Sequence, residues 1–599
     1  FFFQADDGIR DRSPSRGLGD VYKRQDVGGN IRRELTKLGP AGTNAIHLHD
    51  LALGASNVAK VYTQDIIDEV YTDLLEVEQD IFENALQAMR TITILEKRPE
   101  HRRPYGMTFK EAMEYLNNLT DSQKLKYGQR ANRLHNYFTD ALWMLRDRGL
   151  ITEESYNALL ESGDYTPSNY IQYIEKDNTY RTLESTVPDS GVKRLDQGSE
   201  QALEQHLPTL VADYTNRIYG RIMNNEANLA MVDALKNNPN SIIGRMPKKG
   251  EKGVPTGYEE FSYMEDGVSK RFFLSEDMAR EWVSYDPQIK SDMARIVSHL
   301  SLGSTLRFTA TTGNPLFAFS NLPRDIFHGW FVSDAFSPHL PMAAKEMKES
   351  LKATRQDAWN HDKPQGLLRR YLLGGGGMEF LSESGGTPLA GHGGRPSKLM
   401  AGFNVFAEKM SYIGKASELW VRLSIMHRML ENGATETEAI HAARSYIDFA
   451  RGGSLIKMID HVVPYLNASM QATRGTFRAF EDNPKKSFIK ALWLFGLAGA
   501  LIIANRLTMD EDLDKISTDE RSRYLLLGIP YAQFMDENRN SRSAYVRIAK
   551  DQSQGVIMAM AEAMADWMTG KEFNTDLIKQ AWDTANPAGG VTALPPLLE

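Results

Sequence analysis

Apolar positions along this chain recur at threes and fours rather than at twos, and that period predicts helices through most of its length. Val58, Val61, Ile66, Val70, Leu74 and Leu75 carry the pattern through 31–91. Leu125, Ala131, Leu134, Phe138, Leu142 and Leu145 carry it through the next long helix. Thr108 precedes Glu111, Thr120 precedes Gln123 and Thr435 precedes Glu438, each three residues ahead. Such pairs are capping boxes, in which each side chain satisfies a backbone N–H left over at a helix start. Gly149 and Asn432-Gly433 read as helix stops, and Thr152 as the cap of a short helix that follows. A long helix is expected from Leu203 to Leu235, and another from Phe403 to Asn432. Phe406, Met410, Ile413, Trp420, Leu423, Met426 and Leu430 form the apolar stripe of the second. Glu418 and Arg422 on that helix sit at i,i+4, worth roughly 0.2–0.5 kcal/mol on an exposed face.

One stretch carries a clear strand signal instead. Tyr258, Phe261 and Tyr263 precede Asp266-Gly267, and Arg271 to Leu274 follow it. Aromatic-rich runs around Asp-Gly predict a hairpin. Tyr524–Gly528 and Tyr545–Ile548 read as a second hairpin, followed by a Met/Ala-rich helix over 556–568. The fold class expected is mainly α, multi-helix arrays with small β-hairpin insertions.

The chain's organising stretch is 439–507. A small-residue helix ends at Arg451-Gly452-Gly453, with Arg444 and Asp448 one turn apart. A Pro-containing segment then leads into a helix bearing Gln471 and Arg474. The most apolar helix of the chain follows, with Leu492, Leu494, Phe495, Leu497, Leu501 and Ile502. Its charge-free part, Ala491 to Asn505, spans about 22 Å at 1.5 Å per residue. That falls short of a ~30 Å hydrocarbon core, so a buried core helix is expected. The alternative is a segment that enters membrane conditionally, favoured by Gly496, Gly499 and the flanking Lys485, Lys486 and Lys490.

Composition narrows the function. The chain has 599 residues, a net charge of −8, no cysteine and 25 methionines. Length suggests roughly four domains. The acidic balance removes any global field for nucleic acid, which leaves DNA contact undetermined. Without cysteine there are no disulfides, thiolate metal sites or thiol nucleophiles. Residues 1–25 lack periodicity and resemble adapter read-through at a metagenomic contig edge, and the end at Glu599 reads as a truncation. The regions expected are 26–175 helical, 176–200 linker, 201–300 helical with a hairpin, and 301–599 a helical domain.

Candidate chemistry is sparse. His47 and His49 would share one face only on a strand. The reading preferred is two solvated histidines ahead of a helix. The Gly374–Gly377 run has neither a preceding strand nor a following Gly-Lys-Ser/Thr, so it reads as a loop. Asn314, Asn321, Arg324 and Asp325 lie among apolar neighbours, and Asp448 lies beside Arg444. Buried polar groups need partners, so these residues, with Glu418, Arg422, Arg451, Gln471 and Arg474, are expected to form a structural polar network. No catalytic residue, cofactor or metal is assigned, and the chain is expected not to be an enzyme.

The order of these signatures resembles a known family. TGNPLFAFSNLPRDIFHGWFVSD (312–334), the Glu418/Arg422 helix, the Gly433 restart, AARSYIDFARGG and PYLNASMQATRGTFR are similar to a large polyvalent protein-associated domain of the type numbered thirty-eight, found in phage polyvalent proteins. The resemblance covers roughly 300–598, and 145–171 resembles the helical region that precedes it. Pro464-Tyr465 departs from the usual Pro-Phe. The resemblance implies a large multidomain phage protein, packaged in the virion and delivered to the host cell with the genome. Its implied partners are other virion proteins or attached polyvalent domains, in an oligomer or alone, with host cytoplasm or envelope as destination. A membrane-active ejection protein inserting 491–505 is the first alternative. A peptidoglycan hydrolase is a weaker one, because the Gly-Leu-Met-Gln signature is absent before Met470-Gln471.

Overall fold

The structure is a computed structural model, and it describes residues 29–97, 99, 103–161, 207–283, 315–377, 398–447, 466–535 and 541–585. The expected linker 176–200 lies outside the described residues. The described chain is mainly α with two small antiparallel sheets, as the apolar period predicts. It divides into two compact units, residues 28–286 with 372–375, and residues 287–371 with 376–599.

In the N-terminal unit, α1 (Gly29–Lys37), α2 (Pro40–Ala52), α3 (Ala55–Tyr71) and α4 (Glu76–Lys97) follow one another closely. Then come α5 (Phe109–Asn117), α6 (Asp121–Asp147), α7 (Glu153–Glu161) and α8 (Leu207–Asn237). Both expected capping boxes are present: Thr108 with Glu111 opens α5, and Thr120 with Gln123 opens α6. Gly149 ends α6 at φ +68°, a conformation that favours glycine. α8 packs along α2 and α3, so the described parts of 26–175 and 201–300 share cores. One core gathers Phe82, Tyr127, Leu134, Phe138, Leu142 and Tyr214. A second joins α1, α2 and α8 to the first sheet through Met231, Phe261, Phe272 and Trp282.

That sheet has the order β1-β3-β2, from β1 (Gly244–Arg245), β2 (Tyr258–Glu265) and β3 (Val268–Ser275). The Asp-Gly turn is as expected: Asp266 and Gly267 both have positive φ, which the favoured two-residue hairpin turn requires. A Cβ at Gly267 would lie 2.4 Å from the Thr152 backbone nitrogen, so the turn seats directly on the α6–α7 corner. The edge strand β2 is closed by side chains. Asn225 of α8 donates to the Met264 carbonyl at 2.9 Å and accepts from its N–H at 2.7 Å. Asn228 donates to the Ser262 carbonyl and accepts from the Trp282 indole. An uncovered edge invites strand pairing, and this one is covered. α9 (Glu276–Val283) completes the unit.

His47 and His49 correct the sequence reading. They lie inside α2 rather than ahead of a helix, and His49 is buried. Its ring stacks on Trp282 at 3.8 Å between centroids, and its Nε2 lies 3.0 Å from the Trp282 carbonyl.

The C-terminal unit begins with α10 (Pro315–Val332), which contains Pro323, and α11 (Leu340–Trp359). α12 (Gly366–Leu373), α13 (Lys398–Glu431) and α14 (Glu436–Ser445) follow. α14 opens on the third expected capping box, Thr435 with Glu438. Next come α15 (Leu466–Asp482), α16 (Pro484–Leu513) and α17 (Thr518–Arg523). A hairpin of β4 (Tyr524–Met535) and β5 (Ser541–Ala549) precedes α18 (Gln552–Met568) and α19 (Thr575–Ala585). Gly329 sets the packing of α10 on α13: a Cβ there would lie 3.1 Å from Val421 and 3.5 Å from Ile425.

α16 corrects a second expectation. It runs over 30 residues with a kink at Met509, and the part before the kink, about 37 Å at 1.5 Å per residue, does not exclude a membrane span. It is also not fully buried. Leu494, Ala498 and Ile502 face inward, and Phe495, Leu497 and Leu501 are half-buried. Phe488, Leu492, Trp493, Ile503 and Leu507 are exposed. The period is helical, but the apolar residues continue around onto the outer face.

Candidate functional site

Of the residues singled out by sequence in the C-terminal unit, Glu418, Arg422 and Arg444 meet at one helix end. α13 presents Arg422 to the end of α14, where backbone carbonyls lack partners of their own. Arg422 Nη1 donates to the carbonyls of Ala443 at 3.2 Å and Arg444 at 2.9 Å, and Nη2 donates to that of Ile447 at 2.9 Å. Its Nε and Nη2 also donate to Glu418 Oε1, at 3.1 and 2.9 Å. Its guanidinium carbon lies 4.8 Å from the centre of the Tyr446 ring. Arg422 is 2% exposed, so its pair with Glu418 is a buried tie rather than a surface pair. Burial opposes its charge, but Tyr371 and Glu418 beside it outweigh that and hold the guanidinium protonated more firmly. Arg444 is buried too, with Nη1 3.4 Å from the Gly377 carbonyl.

A second cluster sits where α10 meets the start of α18. His328 is buried, with Nδ1 3.1 Å from Asp551 Oδ2 and Nε2 3.3 Å from the Tyr446 carbonyl. Asp551 caps α18, accepting from the N–H groups of Ser553 at 3.1 Å and Gln554 at 3.3 Å. Burial alone would raise its carboxyl, but His328 and the Ser553 hydroxyl hold it well below the usual range. The histidine thus bridges two chain ends.

Two further ties lie in α16 and its neighbours. Lys490 is buried, and its ammonium donates to the carbonyls of Phe331 at 3.1 Å and Ser333 at 2.8 Å, capping the end of α10. Burial lowers its pKa to about 8. Farther along α16, Arg506 donates to Asp566 Oδ1 at 2.7 Å, and Arg521 donates to Asp566 Oδ2 at 2.6 Å. Arg506 also reaches Asp510 and Asp514, and Lys550 pairs with Glu562 while donating to the Arg521 carbonyl at 2.6 Å. Burial pushes Lys550 down and Glu562 up, each opposed by the other's charge. Asn505 holds strand β4, donating to the Leu526 carbonyl at 2.8 Å and accepting from Gly528 N–H at 3.0 Å.

Of the remaining network candidates, Arg324 pairs with its neighbour Asp325 at 2.9 Å. Arg474 is half-buried on α15. Asn321 and Gln471 lie in α10 and α15, but their side chains fall outside the described residues, as do Asn314, Asp448 and Arg451. Sequence reasoning missed His328, Lys490, Arg521, Lys550, Asp551, Glu562 and Asp566. Lys490 had a signal, since it sits at i+4 from Lys486 on a helix whose next 15 residues lack charge. His328 in an apolar run, and Glu562 and Asp566 in the Met/Ala-rich helix, carried the same kind of signal, whereas Arg521, Lys550 and Asp551 lie in polar segments.

A groove in the same unit lies between α10, α11 and α13, with a volume of about 520 Å³. Its floor is apolar, and Lys348, Lys352 and Arg355 rim it. Among the described residues no group of three or more His, Asp or Glu could hold a metal ion. No family model, curated protein or solved structure matches this chain.

Proposed function

We propose that this chain is a non-enzymatic helical structural and interaction segment of a phage polyvalent protein, carried in the virion and delivered with the genome. One observation supports the reading. Two buried polar residues in the stretches that carry the family resemblance hold helices together: Arg422 with three carbonyls and Glu418, and His328 with Asp551 and the Tyr446 carbonyl. Catalytic groups need a cavity and a reacting atom within reach, and these side chains face backbone instead. The test is mass spectrometry of purified particles, before and after treatment with external protease. Peptides from this chain that persist after shaving support an internal virion protein. A chain found only in the infected-cell fraction overturns the reading.

A second reading is favoured by α16, the one helix among the described residues long and apolar enough to cross a membrane. Its exposed Leu492, Ile503 and Leu507 fit a segment that enters the host envelope during ejection. Liposome co-flotation tests it. Leu492→Asp is the informative substitution, because Leu494 is buried and its replacement would damage the fold instead. Flotation lost in Leu492→Asp favours the membrane reading, and no flotation of the parent removes it.

A further inference from the structure

We propose that the groove between α10, α11 and α13 receives an amphipathic helix that carries carboxylates along one edge. The inference rests on the groove alone and stands whichever way the particle test falls.

The floor is built by Phe327 and Trp330 of α10, Leu340, Met347 and Leu351 of α11, and Trp420 of α13. It offers an occupant almost no hydrogen bonds. The Trp330 indole N–H already donates to the Ser337 carbonyl at 2.8 Å, and the Trp420 indole N–H to the Leu351 carbonyl at 2.6 Å. What binds the floor must therefore be apolar, because polar groups brought there would lose water without gaining partners. The groove follows α11 from Leu340 to Arg355, about 22 Å or four helical turns.

The rim decides the class. Lys348, Lys352 and Arg355 stand at i, i+4 and i+7 of α11, all exposed, and among the described residues no carboxylate lines the groove. None of the three is engaged in an ion pair or hydrogen bond among the described residues. The acids of the same helix are partly occupied elsewhere: Glu346 holds Arg428 at 2.8 Å, and Asp357 accepts from the Leu367 N–H at 2.7 Å. The three cations extend over about 10 Å of helix. A single carboxylate or phosphate headgroup, as on a fatty acyl chain, meets one of them. A helix lying along α11 with acidic residues at the same i, i+4, i+7 spacing meets all three, while its apolar face fills the floor.

The probe is a fluorescein-labelled synthetic helix about four turns long. It bears leucines at i, i+4, i+7 and i+11 and glutamates along one flank. A twin peptide carries lysines in place of the glutamates. Anisotropy titrations use the full chain at low ionic strength, where rim charges are least screened. The expected result is binding of the glutamate helix at least roughly tenfold tighter than the lysine twin. Lys348→Glu/Lys352→Glu/Arg355→Glu should invert that preference. All three residues are exposed, so circular dichroism should show the fold unchanged. Ala344→Trp, which fills the groove from an exposed position on α11, should abolish binding of both peptides. Equal binding of the twins, a preference that survives charge reversal, or no binding of the glutamate helix each overturns the proposal. So does dodecanoate, added below its micellar concentration, if it occupies the groove and the peptide does not.

Discussion

In the N-terminal unit the buried polar side chains are mostly neutral: Thr63, Thr91, Thr215, Asn224, Asn225 and Asn228, with Asp50 paired to Arg32. In the C-terminal unit they include Arg422, Arg444, Lys490, Arg521, Lys550, Asp551, Glu562 and Asp566. The first unit closes a sheet edge with amides and otherwise relies on aromatic packing, as where Phe138 meets Tyr214 edge-on at 5.2 Å. The second joins helices by aiming long cations at helix-end carbonyls and buried carboxylates. The two devices differ in what breaks them. An apolar core loses contacts in proportion to the volume removed. A buried ion whose partner is deleted leaves an uncompensated charge or empty acceptors, whose cost does not scale with volume.

The largest expected effect comes from setting one of each against the other. Phe138→Ala should cost about 3–5 kcal/mol, read as faster hydrogen exchange in α6. Arg422→Met, which nearly conserves volume, leaves Glu418 and the carbonyls of Ala443, Arg444 and Ile447 without their donor. It should also cost about 3–5 kcal/mol, read in α13 and α14. Arg422→Lys keeps the charge but not the planar five-donor fork, so it should recover only part of the loss. If Arg422→Met were nearly neutral while Phe138→Ala were severe, the contrast between the units would fail.

What could be read in advance was local chemistry. The three capping boxes, the Gly149 stop and the Asp266-Gly267 turn depend on residues within a few positions of one another, and all are present. What could not be read is which polar side chain of a helix meets another helix. Glu418 and Arg422 have the same spacing whether the face between them is wet or dry. Lys485, Lys486 and Lys490 read as one basic flank, yet Lys485 and Lys486 are solvent-facing and Lys490 is buried. His49 was read as solvated, but it is buried by Trp282, which lies far away in the chain. For α16, the run of charge-free residues was visible, but not how much of its apolar surface stays exposed. The acidic tail, Met509 to Leu513, continues the helix through a kink at Met509.

Lys490 turns the comparison into a pH dependence. Its ordinary pKa of 10.5 falls to about 8 in the folded chain. Below pH 8 both states hold the proton, and the folded state bears the full cost of a buried ammonium. Between 8 and 10.5 the unfolded chain is still protonated and the folded one is not, so stability rises with pH. The neutral amine keeps two N–H groups, enough for the Phe331 and Ser333 carbonyls. The gain over that window is up to about 3 kcal/mol. Denaturant midpoints of α10 and α16, followed by exchange at about pH 7.5 and about pH 9.5, should diverge between the parent and Lys490→Met, with the parent gaining. Parallel pH profiles would remove Lys490 from the argument.

A smaller effect is expected at Asp566, where one carboxylate serves two arginines. Asp566→Asn keeps the shape and removes the charge. Arg506 retains Asp510 and Asp514, so the loss falls mainly on Arg521. About 2–3 kcal/mol is expected, seen as a lowered thermal midpoint that added salt deepens little, because the cluster is buried. A strong salt dependence would mean the pair is effectively at the surface.

The smallest effect is the control that sharpens the rest. Thr120 in the N-terminal unit and Thr435 in the C-terminal unit make the same capping box: each hydroxyl accepts from the backbone N–H three residues on, at 3.3 Å, and each box is exposed. Cap chemistry does not depend on what the rest of the unit buries, so Thr120→Ala and Thr435→Ala should each cost about 1 kcal/mol. The loss should appear as faster exchange confined to the first turns of α6 and α14. Equal losses would show that the two units respond alike to a local defect. The severity of Arg422→Met and the pH slope at Lys490 would then belong to the buried charges themselves. If Thr435→Ala cost several times more than Thr120→Ala, the C-terminal unit would be the softer of the two, and its sensitivity to charge substitutions would need no special role for the buried ions.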